Sequence, residues 1–88
     1  MYAIICTDKD GSFEIRKANR EAHLAYAAET PVVFGGPFQN EEGAMIGSLL
    51  VVDVATRGEA EAWAANDPYA KAGLFKKAQI ERFKKVIG

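Results

Sequence analysis

The stretch SLLVV, residues 48–52, places four apolar side chains in a row within a segment rich in strand formers. Successive side chains of a strand point to opposite faces, so Leu49 and Leu50 must face opposite ways. A sheet with one solvated face alternates apolar and polar residues, and this stretch does not alternate. The stretches AIIC and VVF have the same character. The sequence therefore predicts a sheet that is apolar on both faces.

Strand-forming and helix-forming segments follow one another along the chain in the order β-α-β-β-α-β. This order is typical of the ferredoxin-like α+β fold, a four-stranded antiparallel sheet with two helices on one face. All 88 residues, 1–88, are expected to form one domain. The predicted strands cover residues 2–8, 32–38, 45–54 and part of 74–87, and the predicted helices run from about residue 16 to 29 and from 56 to 66.

Local signals add detail to these elements. The GGP stretch at residues 35–37 is expected to break the hydrogen-bond ladder of the second strand or to bulge it. Thr56 and Glu59 have the spacing of a capping box at the start of the second helix. A slip in the apolar period between Ile80 and Phe83 predicts a bulge in the last strand.

Two helices can cover only one face of such a sheet, and the other apolar face needs a cover. Packing against the sheet of a second copy is the simplest solution, which predicts a homodimer joined through its sheet faces. The alternative is that the strands are merely rich in β-branched residues and that one face stays partly wet. A chain of 88 residues has little stability to spare as a monomer, which favours assembly.

Charge and cysteine content exclude several classes of function. Eleven Lys and Arg residues face twelve Asp and Glu residues, so there is no basic excess for a nucleic-acid partner. The N-terminal apolar run is about five residues long and is followed by charges, which indicates neither a signal peptide nor a membrane span. We therefore expect a cytoplasmic protein. With one histidine and one cysteine, Cys6, neither a structural zinc site nor any other metal or organic cofactor is expected.

The only histidine lies on the first predicted helix beside two arginines. At about 100° per residue, Arg16, Arg20 and His23 fall in one stripe. On the second helix, Trp63 is the expected core anchor, and Asp67 continues its stripe one turn later. Two core-facing stripes on the same side of one sheet can meet. The spacing therefore predicts contact between His23 and Asp67, and a histidine–carboxylate pair is the usual arrangement of a general base.

Asp67 is unusual because it ends a predicted helix, where the negative end of the helix dipole disfavours a carboxylate. Either His23 or a ligand needs the carboxylate there, or Asp67 is a turn residue whose side chain bonds a backbone amide two residues on. A lone histidine in a small domain is likewise often structural. The segment DPYAKAG, residues 67–73, is expected to form a turn or a short 3₁₀ piece.

Two polar residues in the middle of strands are weaker candidates. Ser48 lacks the second glycine of a nucleophile elbow, so its hydroxyl is expected to bond backbone or to line a cavity. Cys6 is expected to be a small buried hydrophobe. The stretch FGGPF lacks the spacing of a phosphate-binding loop, and its glycines are expected to permit close approach of backbone or ligand.

Motifs spread over nearly the whole chain resemble those of the YciI-like (YCII-related) family. The specific ones are R-x-x-H-L in the first helix and W-A-x-x-D-P-Y-x-x-A-G around the second, and weaker support comes from MYAIICTD, GGPF, GSLLVV and FKKV. The resemblance implies a ferredoxin-like protomer that pairs as a dimeric α/β barrel. Muconolactone isomerase and the cofactor-free monooxygenases are proteins of that kind.

The resemblance also implies a pocket with a histidine–aspartate pair, which falls on His23 and Asp67, with Arg20 and Ser48 near it. It points to a cofactor-free isomerase or dehydrochlorinase-like lyase acting on a small cyclic or aromatic compound. The alternative is a ligand-binding, accessory or interaction module of the same fold without catalysis. Further positions that shape the pocket in the family match Gly36, Pro37, Tyr69 and Gly73.

Overall fold

Four strands and three helices make up the protein in a computed structural model that describes residues 1–88. They are β1 (Tyr2–Asp8), α1 (Phe13–Ala28), β2 (Val32–Gln39), β3 (Met45–Val52), α2 (Arg57–Asn66), α3 (Pro68–Lys71) and β4 (Phe75–Arg82). The strands form one antiparallel sheet in the order β2-β3-β1-β4, which is the predicted ferredoxin-like arrangement. None of the helices has the length and apolar character that crossing a membrane requires.

The hydrophobic core lies between the sheet and the helices. Ile4 of β1 and Leu50 of β3 are cross-strand partners on this side, and they are 1% and 4% exposed. Trp63 of α2 belongs to the same cluster, which confirms it as the core anchor. Its indole N–H donates to Thr30 Oγ1 at 2.8 Å, so the largest side chain of the core is also fixed in orientation.

The opposite face of the sheet is apolar too, and no helix covers it. Leu49 lies on this face, opposite Ile5 of β1. Phe34 and Phe38 extend the face across β2, and their side chains are 42% and 40% exposed. The prediction that both sheet faces are apolar is therefore confirmed within one chain.

The GGP stretch does not interrupt the second strand, so that prediction was wrong in position. Residues 35–37 pair with β3 in an unbroken register, and the irregularities lie on either side of them, near the two ends of β2. Pro37 is tolerated because β2 is an edge strand, and one side of an edge strand needs no ladder hydrogen bond.

Two element boundaries differ from the predicted ones by two residues or more. Helix α1 begins at Phe13 rather than near Arg16, because the Ser12 carbonyl already accepts hydrogen bonds from the amides of Ile15 and Arg16. Strand β3 ends at Val52, two residues earlier than predicted, where the chain leaves the sheet toward α2. Apolar composition alone does not predict either boundary, because backbone hydrogen bonds determine where each element begins or ends.

The last strand has no bulge between Ile80 and Phe83, and that prediction was wrong. Residues 77–82 pair with β1 without interruption, and the register shift lies at the start of β4. Phe83 follows the strand, and its ring meets the ring of Phe34 edge-on at 6.4 Å between centroids. The slip in the apolar period therefore marks the point where the chain leaves the sheet. The predicted DPYAKAG turn contains the four-residue helix α3.

Gly47 and Gly36 provide a matched test of how closely the strands pack. A β-carbon at Gly47 would collide with the backbone carbonyl oxygen of Cys6, whereas a β-carbon at Gly36 would meet no atom within 4 Å. We expect Gly47→Ala to lower the free energy of unfolding by about 1–3 kcal/mol, as overpacking does. Gly36→Ala should leave it unchanged or slightly raised. Urea denaturation of both variants is the measurement, and equal midpoints would contradict the assigned register.

Candidate active site

A cavity of about 400 Å³ opens on the helix side of the sheet. Strands β2 and β3 contribute Gly35, Ser48 and Leu50 to its lining, α1 contributes His23, and α3 contributes Tyr69. Ligand pockets for small organic molecules start at about 300 Å³, so the cavity is large enough for one ring-sized compound.

His23 and Asp67 form a buried pair at this cavity. His23 Nδ1 lies 2.8 Å from Asp67 Oδ1, and the two residues are 7% and 2% exposed. An ionised carboxylate can only accept a hydrogen bond, so Nδ1 carries the proton and Nε2 is left as an acceptor. No buried side-chain nitrogen or oxygen lacks a partner, so the unpaired Nε2 is open to the cavity that His23 lines.

Asp67 occupies the junction between α2 and α3. It ends α2 and is the N-cap of α3, with Pro68 at the first position of that helix. Its Oδ1 accepts the Tyr69 amide at 2.9 Å in addition to His23. The two explanations that the sequence left open for Asp67 therefore hold together, because one oxygen serves both the turn and the histidine.

The ring of Tyr69 stacks on the imidazole of His23. The ring centroids are 4.0 Å apart, and the planes differ by 15°. The ring of Phe75 meets the ring of Tyr69 edge-on, with 6.1 Å between centroids, so Tyr69 is packed against a second aromatic ring as well. Burial raises the pKa of the Tyr69 hydroxyl, although the charges of Arg16 and Arg20 act in the opposite direction. The plane of the imidazole is therefore fixed before any ligand enters.

A second buried ion pair lies beside the first. Arg16 Nε and Nη2 lie 2.9 Å and 3.0 Å from the two carboxylate oxygens of Asp8. Nη2 is also within hydrogen-bonding distance of the Gly47 carbonyl, at 3.0 Å, and of Ser48 Oγ, at 2.9 Å. Burial acts to lower the pKa of Arg16, but the hydrogen bonds and charges of Asp8 and Tyr69 together outweigh it and the pKa is raised. The guanidinium is a permanent cation under the cavity.

The wall of the cavity carries positive charge without a matching acid. Arg16, Lys17 and Arg20 line it, and no Asp or Glu does. Asp8 neutralises Arg16, whereas Lys17 and Arg20 form no ion pair within the chain. An anion can therefore be held at this wall by charge-assisted hydrogen bonds.

Six of the eight predicted site residues line the cavity, and two do not. Asp67 lies behind His23 and reaches the cavity only through it. Gly73 follows α3 with a φ of +77° and does not line the cavity, so its assignment to ligand binding stays a prediction. A residue without a side chain is needed there for the left-handed turn. The six that line the cavity are Arg20, His23, Gly36, Pro37, Ser48 and Tyr69.

Sequence reasoning missed Asp8 and Lys17, and it placed Arg16 on the stripe without giving it a role. Arg16 lies one turn before Arg20, and that spacing was the available signal. Asp8 gave no signal beyond ending a strand, because its contact with Arg16 depends on how the turn between β1 and α1 folds back.

Cys6 takes no part in the site. It lies on β1 opposite Ser48, is 3% exposed and does not line the cavity. Burial raises the pKa of its thiol to about 12, and the carboxylates of Asp67 and Asp8 act in the same direction. The thiol is therefore protonated at neutral pH and is a poor nucleophile, as expected of a small buried hydrophobe.

Comparison with other proteins relates these features to known sequences. The family model of the YCII-related domain matches residues 1–84. Protein YciI of Escherichia coli is 34% identical over 97 aligned positions that span 99% of each chain. A protein of Haemophilus influenzae is 34% identical over 96 positions that span 98% of each chain.

Solved structures show the same fold. The 5-chloro-2-hydroxyhydroquinone dehydrochlorinase of Burkholderia phenoliruptrix, in complex with 2,5-dihydroxybenzoquinone, superposes with a TM-score of 0.86. It is 34% identical, and the match covers 96% of this chain and 94% of that one. A Nitrosomonas europaea protein assigned as an antibiotic biosynthesis monooxygenase superposes with a TM-score of 0.55 at 20% identity, covering 94% and 98%, and shows the fold alone.

The ion pair between Asp8 and Arg16 can be tested by stability. Asp8→Ala leaves the buried guanidinium without its counter-charge, and we expect a loss of about 3–5 kcal/mol of unfolding free energy. Adding Arg16→Met should restore much of it, because both charges are then removed. Asp10→Ala is the matched control, since Asp10 is exposed in the same turn and should matter little. Equal effects of Asp8→Ala and Asp10→Ala in chemical denaturation would refute a stabilising pair.

Proposed function

Because this chain belongs to the YCII-related domain family, we propose that it binds a small cyclic or aromatic molecule and moves protons on it without a cofactor. The observation that carries this proposal is the buried contact between His23 and Asp67, at 2.8 Å, on a cavity of about 400 Å³. The reaction class is isomerisation, or elimination across a carbon–carbon bond, because both need a base at a carbon and neither needs an electron carrier.

His23 acts as the general base in this proposal, and Asp67 positions it. The carboxylate accepts the Nδ1 proton, holds the tautomer and stabilises the imidazolium that forms when Nε2 takes a proton from the ligand. His23 is restrained by its stack with Tyr69, and Asp67 is restrained by the hydrogen bond that the Tyr69 backbone amide donates to the same carboxylate oxygen. The reacting group is therefore preorganised, which lowers the entropic part of the barrier.

Arg20 and Ser48 place an oxyanion or carboxylate of the ligand. Ser48 Oγ already accepts a hydrogen bond from Arg16, so its own hydrogen is left to donate. Arg20 and Lys17 bring positive charge that no carboxylate of the chain neutralises. Gly36 and Pro37 present little side-chain bulk at the edge strand, which leaves room for the ligand to approach.

The dehydrochlorinase of B. phenoliruptrix supports the ligand class. Its name gives a chlorinated hydroxyhydroquinone as substrate, and its structure holds 2,5-dihydroxybenzoquinone. Both compounds are single rings that carry acidic hydroxyl groups. A ring-sized cavity with unpaired cations on its wall suits such a compound as an anion.

A ligand-binding or accessory module without turnover is the second candidate. It is favoured by the double role of Asp67, whose carboxylate caps α3 as well as bonding His23. In that case the pair would serve as a recognition element or as a structural tie between helices. The cavity and its cations would still bind an anionic ligand, since binding does not require turnover.

Turnover distinguishes the two candidates. We expect a screen of ring-containing acids, lactones and hydroxyquinones to find a substrate for the wild type, followed by chromatography or absorbance. His23→Ala should lower kcat by about 10²–10⁴-fold, the usual share of a general base, and keep most of the binding. Glu21→Ala is the control, because Glu21 is exposed on the same helix and does not line the cavity. If the wild type binds a compound of the screen but turns none over, the enzyme hypothesis is refuted and the ligand-binding or accessory module is favoured.

A homodimer joined through the free sheet faces is also part of this proposal. Phe34, Phe38 and Leu49 lie on a face that no helix of the chain covers. Contiguous apolar surface of this kind is costly in water, and the same face of a second copy is self-complementary about a two-fold axis. The single cysteine, Cys6, is free and buried, which agrees with a cytoplasmic location.

Leu49→Lys tests the dimer. A lysine at the centre of the proposed interface would bury an unpaired charge, so we expect a monomer. Leu24→Lys is the matched control, since Leu24 lies on α1, away from the free sheet face, and is 47% exposed. Analytical ultracentrifugation should show a dimer for the wild type and Leu24→Lys only. A dimer that survives Leu49→Lys would refute an interface through this face.

A further inference from the structure

The hydroxyl of Tyr69 is a polar group of the site whose proton the chain itself does not use. Tyr69 is 2% exposed, and its amide donates to Asp67. Its hydroxyl oxygen accepts a hydrogen bond from the Arg16 guanidinium, which leaves the hydroxyl proton free to donate. Tyr69 lines the cavity, so a ligand held there can accept this proton.

The stack fixes where this hydroxyl lies relative to the base. The rings of Tyr69 and His23 are parallel within 15°, their centroids are 4.0 Å apart, and both residues line one cavity. On one ring, Nε2 is a proton acceptor. On the other ring, the phenol is a proton donor. Two groups of opposite proton function therefore belong to stacked rings that line the same cavity.

The surroundings of Tyr69 suit a proton donor that is neutral in the ground state and becomes a phenolate only after it has donated its proton. Burial raises the pKa of its hydroxyl, so the phenol keeps its proton at neutral pH. The guanidinium carbon of Arg16 lies 4.9 Å from the ring centroid, and the charges of Arg16 and Arg20 both favour the phenolate. The ground state is thus a neutral donor, and its conjugate base is formed beside two cations.

We infer that Tyr69 is a catalytic proton donor to an oxygen of the ligand, acting opposite His23, and that the ligand is therefore a cyclic ketone, enol or quinone. This inference rests on the proposed function and names the substrate class of the same site. It assigns to the "DPY" tyrosine a chemical role in addition to its support of the imidazole.

The step balances with these two groups alone. His23 Nε2 takes a proton from the ring carbon next to a carbonyl, and the carbon–hydrogen electron pair forms a carbon–carbon double bond. The carbonyl π pair takes the proton of Tyr69, which gives an enol, an imidazolium and a phenolate. Where the ligand has a second double bond conjugated with the enol, the phenolate takes back the enol proton, the electron pairs shift along the diene, and the imidazolium returns its proton to the far carbon of the diene. Both residues are restored, and the ligand has been isomerised.

The test compares Tyr69→Phe with Tyr26→Phe, using 2,5-dihydroxybenzoquinone as the probe. Tyr69→Phe keeps the stacked ring and removes only the hydroxyl. Tyr26→Phe is the matched control, because its hydroxyl donates to the Trp63 carbonyl and does not line the cavity. The readouts are the dissociation constant from the visible absorbance of the probe, loss of its ring-proton NMR signal in deuterated water, and the thermal midpoint. The ring carbon of this probe is trigonal, so exchange begins with its deuteration by the imidazolium of His23, which gives the keto tautomer. It ends when His23 removes the original proton from that carbon while Tyr69 donates to the oxygen.

We expect Tyr69→Phe to bind the probe about 10-fold or more weakly, as when a hydrogen bond to a charged oxygen is lost. Ring-proton exchange should slow by about 10²–10⁴-fold. Its thermal midpoint should match the wild type, whereas Tyr26→Phe should melt lower but bind and exchange normally. Wild-type binding and exchange by Tyr69→Phe would overturn the inference, and so would a thermal loss as large as that of Tyr26→Phe.

His23→Ala separates this inference from the proposed function. If it abolishes exchange while Tyr69→Phe exchanges normally, the base stands and the donor is refuted. If His23→Ala exchanges as fast as the wild type, the proposed function itself fails. A wild type that binds the probe without exchange overturns both proton-transfer roles, and a wild type that does not bind it overturns the ligand class.

Discussion

One carboxylate oxygen, Oδ1 of Asp67, ties the helices together and defines the site. It accepts the imidazole N–H of His23 on α1 at 2.8 Å and the amide of Tyr69 on α3 at 2.9 Å. A carboxylate that is 2% exposed is costly to bury unless it is hydrogen-bonded. The fold therefore requires both donors, and in supplying them it sets the tautomer and the plane of the imidazole. The same residue closes α2 through its backbone and opens α3 through its side chain, and its Oδ1 also makes Nε2 an acceptor.

The second buried pair shows why the charges of the site do not cancel. Both carboxylate oxygens of Asp8 accept hydrogen bonds from the Arg16 guanidinium, through Nε and Nη2. Removing one partner of a buried ion pair costs more free energy than the pair contributes, so the fold needs both residues. With Asp8 and Asp67 both engaged, no acid is left for Arg20 or Lys17. The positive wall of the cavity is thus a consequence of how the buried acids are used, and it is independent of the near-zero net charge of the chain.

Helical periodicity could predict the contact between His23 and Asp67, because each residue lies on a stripe that a fixed angle per residue determines. The partner of Arg16 could not be predicted this way, since Asp8 lies on a strand and meets α1 only after the intervening turn folds back. Family resemblance placed Gly73 near the pocket, but its positive φ gives it a backbone role. Local periodicity thus predicts which residues share a helix face, but it does not predict contacts that depend on turns or on strand register.

Register connects the cavity to the free sheet face. Along β3, Ser48 borders the cavity, and its neighbour Leu49 points to the opposite face. A slip of one residue would exchange the two sets, so the pairing that builds the cavity floor also builds the apolar face proposed for the second copy. Gly47 fixes this pairing, because its bare backbone packs where a β-carbon would strike the carbonyl of Cys6. Site and free sheet face therefore share one structural determinant, and neither can change register without the other.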